Sequence, residues 1–479
     1  MTIRAVDAPS GRDGRPGGRP FSVVDELNCY FDSPAEPNNV QLEVWLPGHL
    51  GADRLRAAVA AVLADVPAAR ARRAARPRWR AGYTWEIPPG ADADPVSVIG
   101  WRTEAELGAA RTRFLAAAPE LDLSPPFRLL LAQGPERDSL ILNAHHAAFD
   151  GRSCVRLLRL IAARYGGEVP NQEPVPARKP VLARKPVPAR KPVPARELVL
   201  AREQASPAGP RPQSRASELP AGSGPRPRGV SRPRWDTARI ASQHGNGRAA
   251  RGTPGYGLTL LGWPGVPAAP PSRSESRPTV NDLLIAALIA SITRWNTVRR
   301  RRPGRIRISM PVDARPAGHG DDLGNLSRLC TVTVDPCRVA DLTAAVARQT
   351  RRAKSGHGPL VGPAQAAVAR TRLPAGVKRR LLRLALRAVG RVRCDTSLLS
   401  NLGTIAEPPT FGTFTPTRMW FATSAHMPRG LSVGAVTVGG RLNLCFRYRN
   451  ALLDAPAGRD FATEYAAALA ALAGGGTGR

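Results

Sequence analysis

Between residues 174 and 203 the chain repeats one hexad five times: PVPARK, PVLARK, PVPARK, PVPARE and LVLARE. Proline donates no backbone hydrogen bond and fixes φ, so two prolines in most copies rule out a helix or a central strand. The segment reads as an extended, polyproline-like spacer. The same bias runs on through SPAGPRPQSRASELPAGSGPRPRGVSRPR. The expected organisation is therefore a leader (1–20), a first half (21–170), a Pro/Arg-rich disordered linker (171–235), a second half (236–472) and a tail (473–479). A chain of 479 residues suits two ordinary cores better than one. The linker could also be a basic docking strip, but its composition alone specifies no partner.

Both halves mix helical and strand patterns. VQLEVWL (40–46) alternates as a half-buried strand does. Leu55, Val59, Val62 and Val66 recur at helical spacing before Pro67. FRLLLAQ (127–133) and SLILNAH (139–145) flank a turn as a hairpin, and Cys154, Leu157, Leu158, Ile161 and Tyr165 mark one face of a helix stopped by Gly166-Gly167. In the second half, TVNDLLIAALIASITRW (279–295) predicts an apolar helix with Asn281 and Asp282 at its capped start. RIRISMPVDAR (305–315) predicts a strand, and LSVGAVTVGGRLNLCFRYRN (431–450) predicts two strands about a Gly-Gly turn. The class is α/β in two layered subdomains.

The formal net charge of +33 points first to nucleic acid, an anionic membrane or an acidic protein. Arginine is nevertheless spread through nearly every segment and aromatics are only 5%, so nucleic-acid binding is not the expected function. Six cysteines lie far apart without a CxxC pair, which suits a reduced cytoplasmic protein. The first 20 residues lack the apolar core of a secretory signal. The most apolar run, LLIAALIASI, is about half of the roughly 20 residues a membrane span needs.

The densest chemistry is NAHHAAFDG (143–151), at the junction of the predicted hairpin and the helix after it. A metal site would need further ligands, and there is no HExxH and no nearby cysteine pair, so no metal is expected. A triad would need a nucleophile. The one elbow-like match, Gly430-Leu431-Ser432-Val433-Gly434, leads into a strand instead of a helix. Two histidines satisfied in a core turn, or a proton-transfer centre, remain open on the residues alone.

HHAAFDG resembles the HHxxxDG motif of the condensation-domain and chloramphenicol-acetyltransferase-like acyltransferase superfamily. FSVVDELNCYF (21–31), VPAARAR (66–72), TVNDLLIAAL (279–288), MPVDAR with LGN (310–315, 323–325), SNLGT (400–404) and the final strand pair follow that superfamily's order across most of residues 21–472. At 66–72 valine and alanine replace the usual histidine and leucine. The resemblance implies two acetyltransferase-like subdomains in a V with an active-site channel between them. It implies an acyl thioester donor, on coenzyme A or a phosphopantetheinyl carrier protein, and an amine or hydroxyl acceptor, with no bound cofactor. An amide or ester would form, as in nonribosomal-peptide-like biosynthesis, and an acidic carrier would suit the basic chain. His146 takes the place of the catalytic histidine, His145 and Gly151 are architectural, and Asp150 pairs with an arginine. Arg70 is the first candidate for that arginine and Arg315 the second. Ser400 and Asn401 would lie near the donor channel or developing oxyanion, or cap a loop. Two alternatives stay open. One is a wax-ester or diacylglycerol-type O-acyltransferase, with GVKRRLLRLALRAVGRVR (376–393) either on a membrane surface or packed on the C-terminal half. The other is a catalytically silent scaffold protein of the same fold.

Overall fold

Apolar runs fill the middles of Phe127–Gln133 and Asp138–His145, and in the computed structural model the two strands pair antiparallel, Leu129 opposite Leu142 and Leu131 opposite Leu140. The structure describes residues 18–167, 237–243, 255–268, 277–315, 322–355, 370–389 and 395–474, with position 367 and without positions 76, 78 and 302. The hexad repeat, the rest of the linker, residues 1–17 of the leader and the end of the tail lie outside the described residues. Described residues belong to one unit, formed by 1–170 together with 234–479.

In the first half the elements are β1 (Arg19–Pro20), α1 (Val23–Phe31), β2 (Asn39–Leu46), α2 (Ala52–Asp65), β3 (Arg72–Arg73), β4 (Thr84–Glu86), β5 (Val96–Gly100), α3 (Glu104–Leu115), β6 (Phe127–Gln133), β7 (Asp138–His145) and α4 (Gly151–Gly166). The second half follows with β8 (Tyr256–Trp263), α5 (Val280–Val298), β9 (Ile306–Asp313), β10 (Ser327–Val334), α6 (Leu342–Ser355), α7 (Ala375–Val389), β11 (Ser397–Thr404), β12 (Arg418–Ala422), β13 (Leu431–Val438), β14 (Arg441–Arg449) and α8 (Ala455–Ala473). Local hydrogen bonds fix the helix ends. Asp150 caps α4, Gly167 ends it in the left-handed region at φ +85°, and Thr279 and Asp282 form a capping box on α5. Asn281 takes no part in that cap, because its amide donates to Met310 Sδ.

Two sheets carry the halves. The N-terminal sheet runs β12-β2-β7-β6-β5 and the C-terminal sheet β10-β9-β11-β13-β14-β8. Each has its own apolar core. Leu42, Val44, Leu129, Leu142 and Leu158 lie in the first, and Leu284, Leu288, Val433, Phe446 and Phe461 in the second.

Strand β12 crosses from one half to the other. Although it lies between β11 and β13 in sequence, it pairs antiparallel with β2, Trp420 opposite Glu43. Its fit against the C-terminal sheet depends on Gly434 of β13, where an added Cβ would stand 1.8 Å from the Phe421 carbonyl oxygen. Gly434→Ala is therefore expected to cost about 1–3 kcal/mol by overpacking backbone against backbone, read as a lower urea midpoint. An unchanged midpoint would show that β12 yields freely.

Two expectations are corrected. Strand β2 is buried on both faces, not half-buried. Its polar residues face a closed polar layer in which Glu43 takes a two-pronged ion pair from Arg111 (2.6 and 2.7 Å) and further hydrogen bonds from Trp45 and Ser139. Through its described side chains, helix α7 packs on α1 of the first half instead of on the C-terminal half. Ala375 and Leu382 join Leu27 and Tyr30, and buried Lys378 stands 3.4 Å from Glu26. Its outer side exposes Val377, Leu381 and Leu384.

Candidate active site

The hairpin ends at His145, and residues 146–148 turn the chain into α4. His145 is buried, and its Nδ1 accepts the Ala147 N–H at 3.0 Å. Its Nε2 lies 3.7 Å from Asp32 Oδ2. Burial works against the Asp32 charge, but His145 and the Asn38 N–H outweigh it and hold the carboxyl below its ordinary range. His145 thus locks the turn from inside.

His146 is held by its main chain. Its N–H donates to the Asn38 carbonyl at 2.9 Å, and its own carbonyl accepts from the Asn325 amide. The ring is left free of side-chain bonds: Nδ1 is closed to solvent and has no hydrogen-bond partner. The residue as a whole is partly exposed. Burial pushes the imidazole pKa down from 6.5, with the backbone of His146 and Phe149 and the Asp150 charge pulling the other way. A neutral imidazole near pH 7 can accept a proton.

Asp150 joins the halves. Its Oδ1 accepts the Ser153 N–H at 2.9 Å and the Arg315 guanidinium at 2.8 Å. Its Oδ2 accepts the Leu326 N–H and the Ser327 hydroxyl, each at 3.1 Å. Burial opposes its charge, but these partners prevail and depress its pKa. The arginine is thus Arg315 and not Arg70. Arg70 lies in a single turn after α2 and donates to the carbonyls of Leu63, Ala64 and Pro88. Those carbonyls at the helix end have no other partners in the helix ladder, and a guanidinium there meets them and the helix dipole.

Gly151 is needed for close packing. Its φ is not left-handed, but a Cβ would stand 2.7 Å from Leu402 Cδ2 and 2.8 Å from the Phe421 ring. Strands β11 and β12 of the second half close directly over it. Ser400 is buried in β11 opposite Gly434. Asn401 Oδ1 accepts the Gly403 N–H at 2.9 Å, so the amide oxygen caps its own turn.

A third histidine escaped the sequence reading. His426 Nε2 lies 3.2 Å from Asn38 Oδ1, which also accepts the Ser424 hydroxyl at 2.8 Å. Burial, with Arg429 and Arg447 adding to it, pushes its pKa down to about 3. It sits in TSAHMPRG, a loop with no periodicity or spacing that would join it to residues 145–146. Among the described residues, no cluster of three His, Cys, Asp or Glu side chains is set to hold a metal. None of their helices is long and apolar enough to cross a membrane.

No protein-family model matches the chain. The uncharacterized protein Rv2305 of Mycobacterium tuberculosis is 31% identical over 445 residues, 89% of this chain and 93% of that protein. The chain belongs to the family of this mycobacterial protein. Its fold is that of condensation domains. The first condensation domain of the calcium-dependent antibiotic synthetase, in complex with a substrate analogue, superposes with a TM-score of 0.59 at 13% identity, over 96% of this chain and 97% of that one. A mutant starter condensation domain of rhizomide synthetase in complex with C8-CoA gives 0.54 at 14% identity, over 94% and 92%. At such identities these similarities establish the fold.

Proposed function

We propose that the protein is an acyltransferase of the condensation class, forming an amide or ester from an acyl thioester and an amine or hydroxyl acceptor. The observation that carries this reading is His146: an imidazole held by both its main-chain groups, kept neutral by burial, at the meeting of the two halves. In the proposed step the acceptor lone pair attacks the thioester carbonyl while its proton passes to His146. Collapse of the tetrahedral species breaks the carbon–sulfur bond, and the proton leaves with the thiol. The C8-CoA bound by the rhizomide synthetase domain supports a coenzyme A or phosphopantetheinyl donor here. Asp150, Arg315 and His145 set the loop, and their part is to position the base. Arg70 is left out of the site, and Ser400 and Asn401 serve as wall.

The test is product formation by the full chain from octanoyl-CoA, or an octanoyl-loaded carrier protein, with a panel of amines and alcohols, read by mass spectrometry with thiol release measured in parallel. Acceptor-dependent product with one thiol per product is expected. Thiol release that never depends on an acceptor, or no turnover with either donor, would reject the reading. Because the His146 pKa is lowered, the acid limb of kcat/KM is expected to fall with a midpoint below the ordinary value of about 6.5. A limb centred above that value would assign the essential base elsewhere.

A further inference from the structure

Arg447 is fully buried in β14, on the face of the C-terminal sheet opposite the core residues Leu444, Phe446 and Tyr448. Only Nη1 is engaged, donating to Asn39 Oδ1 at 2.7 Å and reaching the Asn39 carbonyl at 3.4 Å. Nε and Nη2 are closed to solvent and have no hydrogen-bond partner. Tyr256 stacks under the guanidinium, 4.5 Å from ring centroid to Cζ. No carboxylate among the described residues pairs with it. Arg449, two positions along the same face, adds charge: its Nε is 4.0 Å from Glu36, too far for a hydrogen bond. Arg429 also keeps a buried Nε without a partner.

A buried guanidinium without a counter-charge is among the costliest arrangements a core can hold. A methionine would fill the space without that cost. The two idle donors share one edge of the planar group, where their N–H bonds run parallel and match the two oxygens of a carboxylate. The position matters as well. Asn39 stands opposite His145 in the sheet, and Asn38 before it holds the His146 N–H and faces His426.

We propose that Arg447 binds a carboxylate of the acyl acceptor, so that the acceptor class is amino or hydroxy acids presenting their amine or hydroxyl to His146. The site stands on the geometry of Arg447, whereas its assignment to the acceptor rests on the acyl-transfer reading above.

Thermal unfolding of the full chain is measured in sodium acetate against sodium chloride at constant ionic strength, with phosphate as a second probe. A saturable acetate-dependent rise in Tm of about 2 °C or more is expected. It is expected to disappear in Arg447→Met and to persist in His146→Ala, which separates this site from catalysis. Should Arg447→Met not fold, Arg447→Lys keeps the charge but loses the fork, and apparent acetate affinity is expected to drop roughly tenfold. No acetate response in the wild type, an equal response in the Arg447 variants, or a response to phosphate alone would overturn the proposal. If octanoyl transfer is observed while acetate does nothing, the acceptor carboxylate falls and the acyl-transfer reading stands.

Discussion

Arg315→Met is expected to lower the unfolding free energy by about 3–5 kcal/mol, the range for removing one partner of a buried ion pair. Both side chains are closed off, Arg315 at 2% and Asp150 at 3% exposure. The loss leaves Asp150 charged inside the protein with only the Ser153 and Leu326 N–H groups and the Ser327 hydroxyl to hold it. Asp150→Asn combined with Arg315→Met removes both charges, and asparagine remains a good N-cap for α4. The double variant is therefore expected to be less destabilised than the two single losses summed, with a coupling of about 1–3 kcal/mol. The pH dependence has a definite sign. Asp150 is depressed below 3.8 in the folded state, so its contribution is complete above the unfolded value and is lost as pH falls through the folded one. Urea midpoints from pH 7 to pH 2 are expected to decline less steeply in the double variant than in the wild type. Additive losses, or parallel acid profiles, would show that the pair does not join the halves.

What the sequence made legible follows from range. The hairpin of β6 and β7, the Gly167 stop and the Gly439-Gly440 turn are encoded within a few neighbouring residues, and each forms where its pattern places it. The motif itself was legible for the same reason, since residues 145–151 are contiguous. The partner of Asp150 was not, because seventy Lys and Arg residues offer no local mark that separates Arg315 from Arg70. Position after α2 gave Arg70 nearby carbonyls to satisfy, whereas Arg315 follows β9, whose chain end reaches α4. Strand β12 was missed on similar grounds: RMWFA is short, and nothing in it specifies a sheet partner from the other half. The polar layer hid behind a correct alternation. Gln41 and Glu43 read as solvent-facing, and they do face away from the core, but what covers them is Arg111 and the second half. His426 and Arg447 belong to that same covered face, which only the pairing of the two sheets assembles.

His146→Ala is expected to lower kcat/KM for acyl transfer by roughly a hundred- to ten-thousand-fold, the span for loss of a general base, while Tm changes little. The separation of the two effects follows from how the residue is held. Its anchoring bonds, from N–H to Asn38 and from the carbonyl to Asn325, belong to the main chain and survive the substitution. The ring makes no hydrogen bond through Nδ1, so removing it takes none away at that atom. His145→Ala provides the contrast. It strands the Ala147 N–H in the interior and removes the ring nitrogen 3.7 Å from Asp32 Oδ2, so it is expected to cost about 1–3 kcal/mol of stability. Two adjacent histidines are thereby assigned opposite signatures, one in turnover and one in folding. If His146→Ala retained full turnover, or if its activity fell only in proportion to lost folded protein, the proton acceptor would have to be sought elsewhere. His426 would then be the next group to replace, since burial keeps it neutral and Asn38 links it to the same turn.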